Sequence, residues 1–421
     1  MSLRIDATRL IGRTGGLTPP ARLIAFASVL ICAATFAAPP QVDPEKLGFD
    51  PVWFAAIDGL VEKGIADGEM PGAVVCIGRS DGIAFLKAYG QRQVEPAPEP
   101  MTTDTVFDMA SITKPVATAT AVMRLVEDGK LSPDDLVSKH IPEFGTNGKE
   151  GVTVAQLLLH SSGLIPDNSL KDYEDGPETA WERIFALSPT DEPGTKFKYS
   201  DVNYLVLGKL VERLSGMPLN EYVEKVTFRP LGMTETGYLP SDELKARAAP
   251  TEKQDDDWLK GSVHDPRSAK LGGVAGHAGL FSTATDLATY ATAMLYMLRE
   301  GERGASAPRD TFLDHETASL MTQPRDVPRG KRAYGWDVRT GYSSNRGENF
   351  SDCAFGHGGF TGTTLWIDPE LDLYVIFLST RLHPDGKGTI NPLAGKIGTV
   401  AATALDDDDH RKARPLQGAG L

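Results

Sequence analysis

The chain has 421 residues, 41% of them hydrophobic, and a formal net charge of −14. That apolar share suits a globular protein of one large or two ordinary domains, and the acidic balance argues against nucleic acid or anionic membrane surfaces as partners. No CxxC, HExxH, P-loop or GxGxxG pattern occurs, which removes the usual thiol-redox, zinc-protease, nucleotide and dinucleotide readings.

In chain order, Arg4, Arg9, Arg13 and Arg22 give a basic start, followed by an apolar run from Leu23 to Ala37. Residues 1–37 are therefore expected to be a signal peptide, cleaved after Ala37 to give a periplasmic or secreted protein. The run is short for a membrane span, so the mature chain is not expected to insert stably, and a retained anchor is the alternative. Lipid attachment at Cys32 is disfavoured because the large Ile31 precedes it. Cys76 and Cys353 remain after cleavage, and the sequence leaves open whether they are bonded.

"GAVVCIGRSDGIAFLKAYGQR", residues 72–92, reads as strand, Asp-Gly turn, strand. Ser80 there matches G-x-S-x-G, but it sits between two strands and not on the strand-to-helix turn a nucleophile elbow needs. "DMASITKPVATATAVMRLVEDGK", residues 108–130, reads as an apolar helix with Ser111 and Lys114 at its mouth. From 150 to about 260 the chain is rich in helical stretches broken by Pro and Gly, the clearest being "VTVAQLLLHSSGL", "NYLVLGKLVERLSG" and "NEYVEKVTFRPLG". "LGGVAGHAGLFSTATDLATYATAMLYMLRE" gives a Gly-rich loop and then a helix, started by Thr283 and Asp286. Strands return in "AYGWDVRT", "CAFGHGGFTGTTLWIDPE" and "LDLYVIFLST". Residues 405–421 form a charged, aperiodic tail expected to be disordered. Strands at both ends and helices between them imply an α/β (α+β) fold, with a sheet built from both chain ends and a helical insertion.

The chemistry begins at Ser111. A serine hydroxyl needs a base to become nucleophilic. On a helix Lys114 shares its face, and burial beside a helix N-terminus lowers an amine's pKa enough for that task. Ser111–Lys114 is the one S-x-x-K in the chain; an N-cap serine with a solvated lysine is the plain alternative.

The surrounding residues decide between these. "FDMASITK", "LLLHSSGL" at 157–164, "PGTKFKYSDVNYLVLG" at 193–208 and "FGHGGFTGTTLWIDPELDLYVIFLS" at 355–379 together resemble the motifs of the penicillin-recognising serine hydrolases of the class C β-lactamase type, from about Phe49 to Ala404. The resemblance implies a β-lactamase/DD-peptidase-like fold as a single domain over 38–404, with an α/β part at about 45–110 and 270–404 and a helical part at about 111–269. It implies an acyl-enzyme on Ser111, with Lys114 and Tyr199 as acid and base and the backbone N–H groups of Ser111 and Phe360 as oxyanion hole. His357, Gly358 and Gly359 stand in the third motif, where His357 is expected to donate to a substrate carbonyl or carboxylate.

Asp201 replaces the family's usual asparagine. A carboxylate there would raise the pKa of Lys114 if close, or bind a substrate cation, and Asn203 is the nearby amide that could substitute. His264, Asp265 and His277 lie in the Gly-rich stretch that resembles the branch cleaving amide-linked peptide from N-acetylmuramic acid; His264 and Asp265 are expected substrate contacts. No cofactor is implied, and no ligand spacing points to a metal. The expected substrate is a small molecule or peptidoglycan-derived material, with a muropeptide amide first, a small ester second and a β-lactam or D-Ala-D-Ala peptide third. A non-catalytic binding or scaffold protein on the same fold is the alternative from another class.

Overall fold

A computed structural model describes residues 38–303 and 312–405. The expected signal peptide with Cys32, and residues 406–421 of the expected tail, lie outside the described residues.

The N-terminal side supplies β1 (Gly72–Arg79), β2 (Gly82–Gln93), β3 (Glu99–Pro100) and β4 (Phe107–Asp108). The middle supplies β5 (Gly237–Tyr238), β6 (Pro250–Gln254), β7 (Asp257–Lys260) and β8 (Leu280–Ser282). The C-terminal side supplies β9 (Arg325–Val327), β10 (Gly330–Arg332), β11 (Asp337–Arg339), β12 (Phe355–Gly359), β13 (Thr363–Asp368) and β14 (Leu373–Ser379). Nine of them form one sheet in the order β3-β2-β1-β14-β13-β12-β11-β10-β9. The two chain ends meet at the β1–β14 pair, where Val75 lies opposite Phe377. The sheet built from both termini is therefore present, with the helices between them.

Alternation along β1 sets the layers, because successive side chains point to opposite faces. Ala73, Val75 and Ile77 face one core, which includes Ile57 and Val61 of the helix Phe54–Ala66 and Ile397 and Ala401 of the helix Asn391–Thr403. Val74 and Cys76 face the other core, with Leu287, Ala291 and Leu295 of the helix Ala284–Arg303. Asp286 N donates to Thr283 Oγ1 at 3.3 Å, as the start signal of that helix implies. Ser80 lies in the β1–β2 turn and its hydroxyl donates to Asp372 Oδ2 at 2.9 Å. Cys76 and Cys353 are both free, which closes the question of their pairing.

Two expected helices differ from the sequence reading. The segment after Ser111 is a short 3₁₀ turn over Ala110–Ile112, a wide π-helical turn over Lys114–Ala119 and only then an α-helix over Thr120–Glu127. Pro115 explains the break: it has no N–H to donate, and π-turns of this kind gather at functional sites. The helix in "VTVAQLLLHSSGL" covers only Val154–Leu158 and stops because His160 takes a left-handed φ of 57°.

The loop between the middle strands and the helix Asp201–Ser215 approach at two glycines. A Cβ on Gly276 would lie 2.0 Å from the Tyr204 carbonyl oxygen, so the chain cannot come this close with any larger residue. Thr118 fixes the same loop by donating to Gly276 O at 2.7 Å. Gly276→Ala should destabilise the protein by about 1–3 kcal/mol through overpacking. Gly237→Ala, where a Cβ meets nothing within 4 Å, should have little effect. Urea unfolding of both variants checks this, and equal stability for the two would contradict it.

Candidate active site

The site grows from a strained corner. Ala110, just before Ser111, has a left-handed φ of 44°, a costly conformation for a residue with a side chain. The buried Asp108 holds it there: Asp108 Oδ1 accepts from Ala110 N at 2.8 Å, and Oδ2 accepts from His264 N at 2.7 Å. Burial pushes the Asp108 carboxyl above its usual range. The turn from β12 into β13 docks on the same corner. Thr361 Oγ1 donates to Asp108 O at 2.7 Å, and Thr363 Oγ1 donates to Met109 O at 3.3 Å. A Cβ on Gly359 would stand 2.5 Å from Met109 O, so only a glycine lets the end of β12 lie against the backbone just before Ser111.

Lys114 is fully buried, and its ammonium has three acceptors at hand. Nζ lies 2.9 Å from Ser111 Oγ, 2.7 Å from Asp201 Oδ1 and 3.0 Å from His277 O. Asp201 is the first residue of the helix Asp201–Ser215, where a carboxylate meets the positive end of the helix dipole. Burial pulls the lysine's pKa down, but the Asp201 carboxylate and Tyr199 outweigh it and hold the pKa above its ordinary value. The lysine is therefore a charged ammonium at rest.

Tyr199 is half-buried, with its hydroxyl buried. Lys114 Nζ sits 5.1 Å from its ring centroid. Burial raises its pKa even though Lys114 opposes the shift, so the phenol also keeps its proton at rest. Its hydroxyl is electrostatically coupled to Ser111 and Lys114, but neither contact reaches ordinary hydrogen-bond geometry. His160 stacks on the Tyr199 ring, centroids 4.4 Å apart at 28°.

His357 is buried at the cleft, its ring 5.9 Å from that of Tyr199. Its pKa lies well below the usual value because of burial and the nearby Arg332 guanidinium, so the ring is neutral. Its Nδ1 lies 2.8 Å from Gly358 O, and a carbonyl only accepts, so Nδ1 carries the proton. Nε2 is then a bare acceptor without a partner. In this tautomer Nε2 would accept from a substrate; the expected donation needs the other tautomer. β11 pairs with β12 only at Asp337–Gly356, which leaves His357–Gly359 without a strand partner on that edge.

A correction concerns Asn203. It is fully buried and its amide is occupied: Nδ2 donates to Leu157 O at 3.2 Å and Oδ1 accepts from Ser162 Oγ at 2.6 Å. Both ends of its amide bond inside the protein, so it is not turned toward a substrate. His264 rests on the Phe360 ring at 5.4 Å and pairs with Glu252 at 3.2 Å. Asp265 caps the helix Pro266–Lys270 through Ser268 N at 2.7 Å and meets His277 Nε2 at 2.8 Å. One oxygen or nitrogen of each of Asp201, Asp265 and His277 lies within 4.8 Å of the others. Asp201 is paired with Lys114, and Asp265 with His277.

A match to the beta-lactamase family model extends over residues 57–398. The chain belongs to the beta-lactamase family. It is a serine hydrolase of that family. The N-acetylmuramyl-L-alanine amidase of Bacillus subtilis (strain 168) is 33% identical over 383 residues, covering 82% of this chain and 85% of the relative. A protein of Escherichia coli O157:H7 with the provisional name D-alanyl-D-alanine carboxypeptidase is 30% identical over 397 residues, 85% of this chain and 88% of the relative. A solved class C beta-lactamase overlays with a TM-score of 0.67 at 18% identity, covering 85% of this chain and 97% of that one.

Sequence reasoning missed Asp108, His160, Arg332 and Tyr342 as parts of the site. Asp108 had a signal, an Asp two residues before the strained position, which is the spacing of a side chain that caps a following N–H. Asp108→Asn keeps one acceptor and turns the other position into a donor facing an N–H. It should lower stability by about 1–3 kcal/mol, the cost of unpaired buried polar groups, and slow turnover as well. Thermal unfolding and steady-state rates of the variant test this; wild-type values for both would refute the anchoring role.

Proposed function

We propose that the protein is an exported hydrolase that cleaves an amide in muropeptide material through an acyl-enzyme on Ser111. The observation that carries the chemistry is the Lys114 ammonium held 2.9 Å from Ser111 Oγ and 2.7 Å from Asp201 Oδ1. The similarity to an enzyme named N-acetylmuramyl-L-alanine amidase supports the substrate class and a site of action outside the cytoplasm, in keeping with the expected signal peptide. Among the described residues, no helix is long and apolar enough to cross a membrane.

In this reading Lys114 and Tyr199 act as one unit that must lose a single proton before Ser111 is activated. Both groups are raised above their ordinary pKa, so the reactive form, a Tyr199 phenolate beside the Lys114 ammonium, is populated toward alkaline pH. Ser111 Oγ attacks the amide carbon while its proton passes to Tyr199. The oxyanion forms between the N–H groups of Ser111 and Phe360, where each donor contributes about 10²–10³-fold. The C–N bond then breaks, the amine leaves with the proton from Tyr199, and water releases the acyl group by the reverse sequence. The unpaired edge at His357–Gly359 suits an extended substrate segment.

The carboxypeptidase name of the other relative favours a second reading, in which the acyl group is peptidyl and a terminal D-alanine leaves. Asp201 speaks against acidic substrates such as penicillins, since its carboxylate neutralises the Lys114 ammonium beside the nucleophile. A small-ester hydrolase uses the same residues.

Ser111→Ala should abolish turnover and labelling by a fluorophosphonate while leaving unfolding nearly unchanged. Normal turnover in that variant would sink the mechanism. Tyr199→Phe should cost about 10²–10⁴-fold in kcat. Asp201→Asn removes the carboxylate that holds the Lys114 pKa up, so the proton is lost more easily. The alkaline rise in rate should move to lower pH, and acylation by a fluorescent penicillin should quicken. An unmoved pH profile with unchanged acylation would show that Asp201 does not control the pair.

A further inference from the structure

One exposed aromatic ring is fixed at the catalytic tyrosine by means that nothing in the hydrolytic step requires. Tyr342 is 58% exposed, yet its ring lies against Tyr199, centroids 5.4 Å apart at 37°. Phe197 meets it edge-on at 6.1 Å. An exposed tyrosine in a loop would ordinarily sample several rotamers. Here the turn that carries it is tied to the protein interior. Tyr342 N donates to Thr340 Oγ1 at 3.1 Å, and Thr340 Oγ1 donates to Asp337 Oδ1 at 2.9 Å. Ser343 Oγ donates to Asp337 Oδ2 at 2.7 Å and accepts from Thr340 N at 2.7 Å.

Asp337 is buried, and its charge is balanced by the fully buried Arg332, Nη1 to Oδ1 3.6 Å. The same guanidinium stands over Phe197, 5.6 Å from its centroid. A buried ion pair thus supports both the turn and the edge-on ring that hold Tyr342 in place. Burying an arginine is costly and needs a reason, and the outcome visible at the surface is one flat ring presented beside Tyr199.

We propose that Tyr342 is a stacking platform for the pyranose ring of the substrate, an N-acetylated amino sugar next to the scissile amide. A phenol face is apolar and electron-rich and suits the C–H face of a sugar, whose hydroxyls stay in water. The proposal rests on the muropeptide reading and adds to it the residue that recognises the glycan half. Tyr342 is a specificity residue and takes no part in proton transfer.

The test compares two substrates that share the scissile amide: N-acetylmuramoyl-L-alanyl peptide, and the same peptide carrying a lactyl group without the sugar. Tyr342→Ala should lower kcat/KM about tenfold on the first, mainly through KM, and less than threefold on the second. Tyr342→Trp should restore the first substrate's rate. Equal losses on both substrates, or no loss on either, overturn the platform. A parallel binding measurement is independent of turnover. Ser111→Ala should show saturation transfer to the sugar protons of N-acetylmuramoyl-L-alanine by NMR, and Ser111→Ala with Tyr342→Ala should not. Transfer that is absent from both, or equal in both, also overturns it. Wild-type enzyme that binds the sugar through Tyr342 but fails to cleave the muramoyl amide would leave the platform standing and remove the amidase reading.

Discussion

A single buried ammonium organises this protein. Lys114 has no contact with water, so each of its three N–H groups must find an acceptor inside the protein, and leaving such a charge unpaired would cost several kcal/mol. The acceptors come from three separate parts of the chain: Ser111 from the turn before it, Asp201 from the start of the helix Asp201–Ser215, and His277 from the Gly-rich loop. Each part has its own device for arriving. Asp108 pins the strained Ala110, Ser200 caps the helix by accepting from Asn203 N, and Gly276 lets the loop touch Tyr204. Satisfying the charge and assembling the site are the same event.

The electrostatics follow from that arrangement. Burial alone would lower the Lys114 pKa, but the Asp201 carboxylate reverses the direction of the shift. Tyr199 is held protonated by burial, and His357 is held neutral by burial and by Arg332. The site therefore rests with one cation paired to one anion, and with a neutral phenol and a neutral imidazole facing the substrate edge. This is a different charge pattern from a site with an amide at position 201, and it is the ground for proposing a preference for neutral acyl groups over acidic ones.

Much of the fold was legible because it obeys local rules. The apolar run of "AVVCIG" with its Asp-Gly turn, and the C-terminal strands with their glycines, marked the sheet from both ends. The Ser111–Lys114 spacing was legible for the same reason, since three residues apart means one face of a helical turn. Tyr199 and His357 were reached through the resemblance of whole motifs and not by spacing. What the sequence hid depends on distant partners. Nothing local says that Lys114 and Asp201 are 2.7 Å apart, or that the amide of Asn203 faces Leu157 and Ser162. The burial of Arg332 is set by strand pairing between β10 and β11 and by Asp337, so in sequence it looks like any basic residue of a polar loop. Pro115 was visible, but its effect was a widened turn and not the end of the helix.

In the proposed reaction Ser111 carries the acyl half of a muropeptide amide. The most direct measurement is intact-protein mass spectrometry after mixing with N-acetylmuramoyl-L-alanyl peptide and quenching in acid, followed by peptide mapping. The expected result is a transient adduct with the mass of the muramoyl group on the peptide containing Ser111. A peptidyl adduct that has lost a terminal D-alanine, or an adduct on any other residue, would contradict it.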